Sequence, residues 1–550
     1  MKYNKILSFA AATILMCGCA DNAMYTEAPA EPGVTGQDGY TYLKSYVNRS
    51  ENPNFKLGVG VEASDVFAHY PLWTVAKQNF DEVTPGNLMK FASVVSDDGV
   101  MDFRGVKSLV NEAEAAGLTV YGHTLCWHEQ QNVTYIKERL APPNHYLLVN
   151  NPVAKANPWD ASITYQMSSP LEKGKTYIMS FKAKSTTTVD VPFWPSGSEG
   201  TQYLASQHFT PTWTNVSYKW TTDKPLEKIT FELGTYGGDV CIDNFTIVEE
   251  GSTDNLTLNS DFETTNLGSW SNATASIKIA KEDGEIKDME AAKDSLNMIL
   301  DKWISGMMEA CQGKVKAFDA VNEPMSNVAP AELKKAGRVF GEEKNADGDP
   351  NKCFFWQDYL GKDYARIVIA LARQYGPSDL KLFINDYGLE GEGNAKCQGL
   401  IDMINYWESD GVTKIDGIGT QMHVTVNMDA EKQKAQEAAV VNQFKLLAAT
   451  GKLIKISELD MAIKDAEGKV VKTVNATEEQ LAAQKAYYNF IIKAYFENIP
   501  AAQRYGITQW SMTDSPKGSG WIPEEPIGLW NESLDRKPAY AGFADGLAGK

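Results

Sequence analysis

Two segments of this chain end a β-prone run on a glutamate: Ala317-Phe318-Asp319-Ala320-Val321-Asn322-Glu323-Pro324 and Ile454-Lys455-Ile456-Ser457-Glu458-Leu459-Asp460. A strand that carries Glu to a barrel rim places a carboxylate for acid or nucleophile work. Cleavage of a glycosidic bond needs two of them on different strands. One must be protonated near neutrality to give a proton to the leaving oxygen, so its neighbours are expected to raise its pKa. The other must stay ionised to attack the anomeric carbon. At a separation of roughly 5–5.5 Å that attack is direct and configuration is retained.

The elements that must position these residues follow from hydrophobic periodicity. Short apolar or β-branched runs occur at Phe55–Val61, Glu82–Thr84, Thr119–His123, Ala317–Glu323, Leu380–Asp386, Gly417–His423, Ile454–Asp460 and Gly506–Ser511. Amphipathic stretches lie between them, among them Val106–Ala116, Asp288–Cys311, Tyr364–Gln374, Cys397–Ser409 and Glu478–Phe496. Eight such repeats predict an α/β fold, a (β/α)8 TIM barrel, in two pieces at 37–140 and 281–545. The strand ends carry Asn87, His123, Asn322-Glu323, Asn385-Asp386, Gln421 with His423, Glu458 and Trp510. In this fold that rim is where several strands build one site. Between the pieces, residues 144–280 alternate and are turn-rich, as in Thr176–Lys182 and Trp213–Trp220, which predicts an inserted β-sandwich.

Composition narrows the class of partner. The 550 residues are 43% hydrophobic and 22% charged, which is ordinary for a globular protein of more than one unit. Net charge is −19, from 52 basic and 71 acidic residues, which argues against nucleic acid or an anionic membrane surface. The 13 Trp and 24 Tyr suit stacking on sugars. A basic start, Met1–Lys5, runs into the apolar stretch Ile6–Cys17, which is too short to span a membrane and reads as a signal peptide. Gly18-Cys19 resembles a bacterial lipoprotein cleavage site. The expectation is a signal peptide at 1–19, lipidation on Cys19, a linker at 20–36, and a secreted protein held to the outer membrane, at the cell surface or on its periplasmic face, through that lipid alone. Five further Cys are scattered without a C-x-x-C pair, and His123 and His128 are five apart, so no metal site is expected. No cofactor is expected, and the chain is read as a monomer.

Several segments together resemble the family 10 endo-β-1,4-xylanases: Gly122-His123-Thr124-Leu125-Cys126-Trp127-His128, Asp319–Pro324, Asn385-Asp386-Tyr387, Ile415–His423 and Ser457–Asp460. The resemblance implies that Glu323 is the acid/base and Glu458 the nucleophile of a retaining endo-xylanase acting on xylan or xylo-oligosaccharides. It implies that His423 hydrogen-bonds Glu458 and is held by Asp460; residues 458 and 460 face the same side of a strand. It also implies sugar contacts by Asn87, Lys90, His123, Trp127, Asn322 and Gln421. Trp510 and Trp521 would stack on sugar faces, and Tyr387 beyond the scissile bond. Three positions depart from the family pattern: Gly86 where Glu is usual, Phe91 where Trp is usual, and Ser511 where Gly is usual. A related β-1,4-glucanase, or a non-catalytic glycan-binding lipoprotein, are the alternatives.

The insert has its own resemblance. Asn157-Pro158-Trp159-Asp160 and Val240–Phe245 are similar to carbohydrate-binding modules attached to xylanases, with Trp159, Trp194, Trp213, Tyr203 and Trp270 as stacking candidates. An insert leaving a rim loop is expected to hold polymer close to the cleft. Asn255–Glu263 looks like the first strand of such a module although it follows the body, which leaves open a truncated second module or a rearranged single one.

Overall fold

The computed structural model describes residues 39–550, apart from 259, 260, 265, 285, 337, 338, 341, 342, 345 and 346. The signal peptide, Cys19 and the linker lie outside the described residues. The chain forms two compact units, one of residues up to Tyr135 with Lys293–Lys550, the other Ile136–Ala292.

The first unit is a closed parallel barrel. Its strands are β1 (Lys56–Val61), β2 (Glu82–Pro85), β3 (Thr119–Gly122), β4 (Ala317–Asn322), β5 (Lys381–Tyr387), β6 (Gly417–Gln421), β7 (Leu453–Lys464) and β8 (Arg504–Gln509). Each pairs with the next, and β8 returns to β1 with Lys56 opposite Gly506. The strands read as nearly continuous buried runs because helices cover the sheet outside and side chains fill it inside. The Arg104–Ala115 helix shows how the cover is built: Val106, Leu109, Val110 and Ala113 form one buried stripe at helical spacing.

Polar groups stack up inside the barrel beneath the rim. The Lys455 ammonium is 3.0 Å from the Tyr121 ring centre and 3.4 Å from Glu82 Oε1. The Tyr505 hydroxyl donates to Glu82 Oε2 (3.0 Å), and the Tyr121 hydroxyl donates to Asp319 Oδ1 (2.5 Å). The other Asp319 oxygen meets His123 Nδ1 at 2.8 Å, so the network ends at the active-site face.

One strand differs from its expectation. The run predicted as Gly417–His423 stops at Gln421, and His423 begins a separate strand, His423–Asn427. That strand pairs with the upper part of β7, which is 12 residues long, with His423 directly opposite Asp460. β6 pairs with both β5 and β7, and past Met422 only the pairing with β7 continues, which sets the histidine beside the carboxylates.

The second unit is a sandwich of two antiparallel sheets. One has the order Thr214–Thr221, Thr176–Ser185, Gly238–Glu249, Asn144–Asn151, Ser276–Glu282; the other runs Leu204–Phe209, Val189–Phe193, Leu226–Glu232, Ser162–Leu171, Trp270–Ala273. Phe181, Phe231, Phe245 and Trp270 pack between them. In the ambiguous 255–263 segment, Leu256 N donates to Ile247 O and the Thr257 hydroxyl to Phe245 O, so its described part lies along a strand of this same sandwich.

Candidate active site

Glu323 follows β4 directly and adopts φ of 55°, a left-handed conformation unfavourable for a residue with a Cβ. Its surroundings hold it there. Glu323 N donates to Asn385 O (2.7 Å), Asn322 N to Cys126 O (2.8 Å), and Met325 N to the buried Asp386 carboxylate (2.9 Å). Glu458 sits where the β7–β8 register slips between Ile456 and Leu459. Such an irregularity re-aims a side chain at a rim.

An amide cluster joins the two glutamates. Asn385 Nδ2 donates to Glu458 Oε1 (3.0 Å) and to Asn322 Oδ1 (2.8 Å). Gln421 Nε2 donates to Asn322 Oδ1 and to Glu323 Oε1, both at 3.1 Å, and Asn322 Nδ2 lies 3.3 Å from Glu323 Oε1. The cluster needs a close approach at β6: a Cβ on Gly419 would lie 2.3 Å from Asn385 Oδ1. Ser457 Oγ fixes that same oxygen at 2.6 Å.

His423 bridges the acids of β7, with Nε2 3.3 Å from Glu458 Oε2 and Nδ1 2.8 Å from Asp460 Oδ1. Burial works against an imidazolium here, but Asp460 and Glu458 outweigh it and raise the His423 pKa to about 10. Burial likewise pushes Glu458 up, yet His423 and His123 hold its carboxyl below the usual range. Asp460 is tied further by the Trp521 indole N–H (2.8 Å) and Ser511 Oγ (3.2 Å). The Trp521 ring lies 4.6 Å from that of His423.

The pKa of Glu323 departs from the expectation. Burial pushes it up, but the Lys334 ammonium 3.5 Å from Oε2, with Gln421 donating to Oε1, brings it down to about 2. His128 also faces Glu323, but burial holds its own pKa at about 3, so the imidazole is neutral near neutral pH and Lys334 is the effective cation. The sequence reading required a raised acid. A carboxylate with a buried ammonium in contact is instead kept ionised.

All the expected substrate contacts line one cleft of about 1060 Å³: Asn87, Lys90, His123, Trp127, Asn322, Tyr387, Gln421, Trp510 and Trp521, with Glu323, His423 and Glu458. Asp460 stands behind it. Lys90 lies 4.7 Å over the Trp127 ring, and His123 lies 5.7 Å from Trp510. Tyr387 is engaged more than expected, its hydroxyl accepting from Asn327 Nδ2 (2.5 Å) and Lys334 (3.3 Å). Phe91 packs on Trp303 in the core, 5.2 Å away, so that departure does not reach the cleft. At Gly86 the space a side chain would enter is taken by Glu62.

Four residues of the site escaped the sequence reading: Lys334, Glu62, Glu390 and the Ser511 hydroxyl as a partner of Asp460. Glu390 lines the cleft with one oxygen lacking a hydrogen-bond partner, and burial raises its pKa to about 6. A carboxylate in the turn three residues past the end of β5, close in sequence to Asn385-Asp386, was the available signal for it. Among the described residues no group of three or more His, Cys, Asp or Glu is placed to hold a metal ion.

A family model described as glycosyl hydrolase family 10 matches residues 47–151 and 273–546. The endo-beta-1,4-xylanase Xyn10C of Cellvibrio japonicus is 28% identical over 281 residues, 48% of this chain and 41% of that protein. The exoglucanase XynX of Acetivibrio thermocellus is 32% identical over 194 residues, 34% of this chain and 15% of that protein. The chain thus matches less than half the length of either relative. Among solved structures, xylanase 10C of Cellvibrio japonicus in complex with xylopentaose superposes with a TM-score of 0.53 at 18% identity, covering 93% of this chain and 70% of that one. At that identity the likeness is one of fold.

Proposed function

Since the chain belongs to glycosyl hydrolase family 10, we propose that it is a retaining endo-β-1,4-xylanase that cuts internal bonds of xylan through a covalent glycosyl-enzyme. The observation that carries this reading is the pair Glu323 and Glu458, on different strands, facing one cleft and joined through the Asn322–Asn385–Gln421 cluster. Glu458, kept ionised by imidazolium His423 and by Asn385, attacks the anomeric carbon. Glu323 gives its proton to the departing glycosidic oxygen, then takes one from the water that releases the sugar. A neutral sugar filling the cleft removes water from around Glu323, which strengthens both the burial that favours its protonated form and the attraction of Lys334 that opposes it. Asn322 Oδ1 already accepts two bonds and one Nδ2 hydrogen is directed at Glu323 Oε1, which leaves the second amide hydrogen to meet the sugar 2-hydroxyl.

The test is Glu458→Ala with added azide. Formation of a glycosyl azide of inverted configuration supports the assignment; undiminished hydrolysis by the variant removes it. The relative named as an exoglucanase favours a second reading, β-1,4-glucan as substrate, and rates on xylan against carboxymethyl cellulose separate the two. Two ionisable glutamates in one cleft speak against a purely glycan-binding role.

For the second unit we infer glycan capture. Trp159 and Tyr203 are 60% and 74% exposed, and Trp194 lies between them at 6.3 and 5.2 Å. Trp270 is in the core and Trp213 donates to Glu282, so those two candidates are structural. Loss of insoluble-xylan pull-down in Trp159→Ala/Tyr203→Ala is expected; full retention removes the inference. From Gly18-Cys19 we also propose a lipoprotein at the outer membrane, and absence of fatty-acid label on Cys19 would end that idea.

A further inference from the structure

Beside β1 the cleft carries an acid with no role in the chemistry above. Glu62 follows β1 directly. Gly86 follows β2 and is drawn against it, its amide N donating to Val61 O at 3.0 Å. A Cβ added at Gly86 would lie 2.7 Å from Glu62 Oε1, so the carboxylate of residue 62 stands where a side chain at 86 would begin. Asn87 Nδ2 is 3.2 Å from each Glu62 oxygen, and Asn87 Oδ1 accepts from Gln130 Nε2 at 3.2 Å. The amide of Asn87 is therefore oriented from both sides. Glu62 itself is exposed and lines the same cleft as Glu323 and Glu458.

A carboxylate offers about four acceptor sites, and one bond to each oxygen leaves the others turned to the cleft. Vicinal hydroxyls of a sugar are the neutral donors that match two adjacent acceptor oxygens. The local charge adds discrimination, because Asp65 and Glu129 line the same cleft and Lys90 is the cation set against them.

We propose that Glu62 is a specificity-determining residue: it accepts hydrogen bonds from vicinal hydroxyls of a neutral pyranose seated against Gly86 and Asn87, and its charge keeps uronate-bearing sugars from that position. The proposal rests on the xylanase reading for the identity of the sugar.

The experiment measures Kd for xylotetraose by calorimetry in a Glu458→Ala background, and KM in the active protein. Glu62→Ala should raise both by about tenfold or more, the scale of a lost hydrogen bond to a charged group. Adding Gly86→Glu to Glu62→Ala should restore both, because the new side chain enters the vacated space. Glu62→Gln should keep most of the tetraose affinity but bind a glucuronosyl-substituted xylotetraose more tightly than the Glu62 protein does. A role limited to orienting Asn87 would leave that last comparison unchanged. Tetraose affinity unaltered by Glu62→Ala, or unaltered discrimination in Glu62→Gln, overturns the proposal. Failure of the unaltered protein to cut xylan while it still binds tetraose would remove only the functional reading, since the Kd series reads Glu62 without turnover.

Discussion

Replacing Lys334 by Met should move the alkaline limb of the kcat/KM profile to higher pH. A general acid works protonated, so any cation beside it shortens the pH range in which it can act. Lys334 Nζ is 3.5 Å from Glu323 Oε2, with side chains 2% and 12% exposed. At an effective dielectric constant of about 20 the attraction is roughly 332/(20 × 3.5), or about 4.7 kcal/mol; doubling the screening leaves about 2.4 kcal/mol. Divided by 1.36 kcal/mol per unit, that is a rise of roughly 1.7 to 3.5 pH units in the pKa of Glu323. Other groups facing Glu323 do not replace the lost charge. His128 is neutral, Glu458 and Glu129 are acids, and Lys90 lies across the cleft over Trp127. Lys334→Arg keeps the cation and should keep the limb. The assay is initial rate against pH on xylotetraose, with a thermal melt on each variant. Folded Met and Arg variants whose alkaline limbs coincide would refute the reasoning, either because Lys334 does not control the proton or because Glu323 is not the acid.

Two further outcomes are expected. Glu390, raised to about 6, binds a proton more tightly folded than unfolded, so it lowers stability as pH rises from its unfolded pKa of about 4.3 through 6. Glu390→Gln should therefore raise Tm at pH 8 but not at pH 4, by an amount equivalent to at most about 2 kcal/mol because the cleft leaves it partly screened; equal Tm gains at both pH values would contradict this. Trp521→Phe keeps the ring beside His423 but removes the donor to Asp460, which retains Ser511 and His423. A fall in kcat of about five- to thirty-fold, or roughly 1–2 kcal/mol, should appear with little change in stability; an unchanged kcat would show that Asp460 is held well enough without it.

The sequence made Glu323 legible because it directly follows a buried strand, and Glu458 and Asp460 because they are acids inside a buried, β-prone run; the expected end of that run at Asp460 is passed by β7, which continues to Lys464. It could not reveal Lys334, a lysine in a polar loop brought to Glu323 only by tertiary folding, and so it assigned the wrong direction to the acid's pKa. Glu62 was hidden for a related reason: the pattern showed that Gly86 lacks a side chain but not what occupies the space. His423 lies beside Asp460 as expected but on a strand of its own, since one apolar run crosses Met422 without marking where the pairing with β5 stops and that with β7 goes on. The Ala430–Ala449 helix was harder to read because its buried stripe at helical spacing, Val440, Gln443, Phe444 and Leu447, is confined to the second half and includes a glutamine. In the insert, Trp270 begins a strand and is buried whereas Trp159 sits on the short helical turn Pro158–Asp160 and is exposed, a difference that neither residue type nor alternation announces.

The barrel's third and fourth strands are partners, yet His123 and Asp319, bonded across them, are 196 positions apart. During synthesis at about 5–20 residues per second, β3 waits roughly 10–40 s for that neighbour. The intervening unit shortens the wait in another sense, because its own first and last strands lie side by side, with Asn144 opposite Glu282. Once they pair, an excursion of well over a hundred residues behaves as a short tether in the entropy of ring closure. The nascent polymer can thus assemble the rest of the catalytic scaffold nearly as though it had never been interrupted.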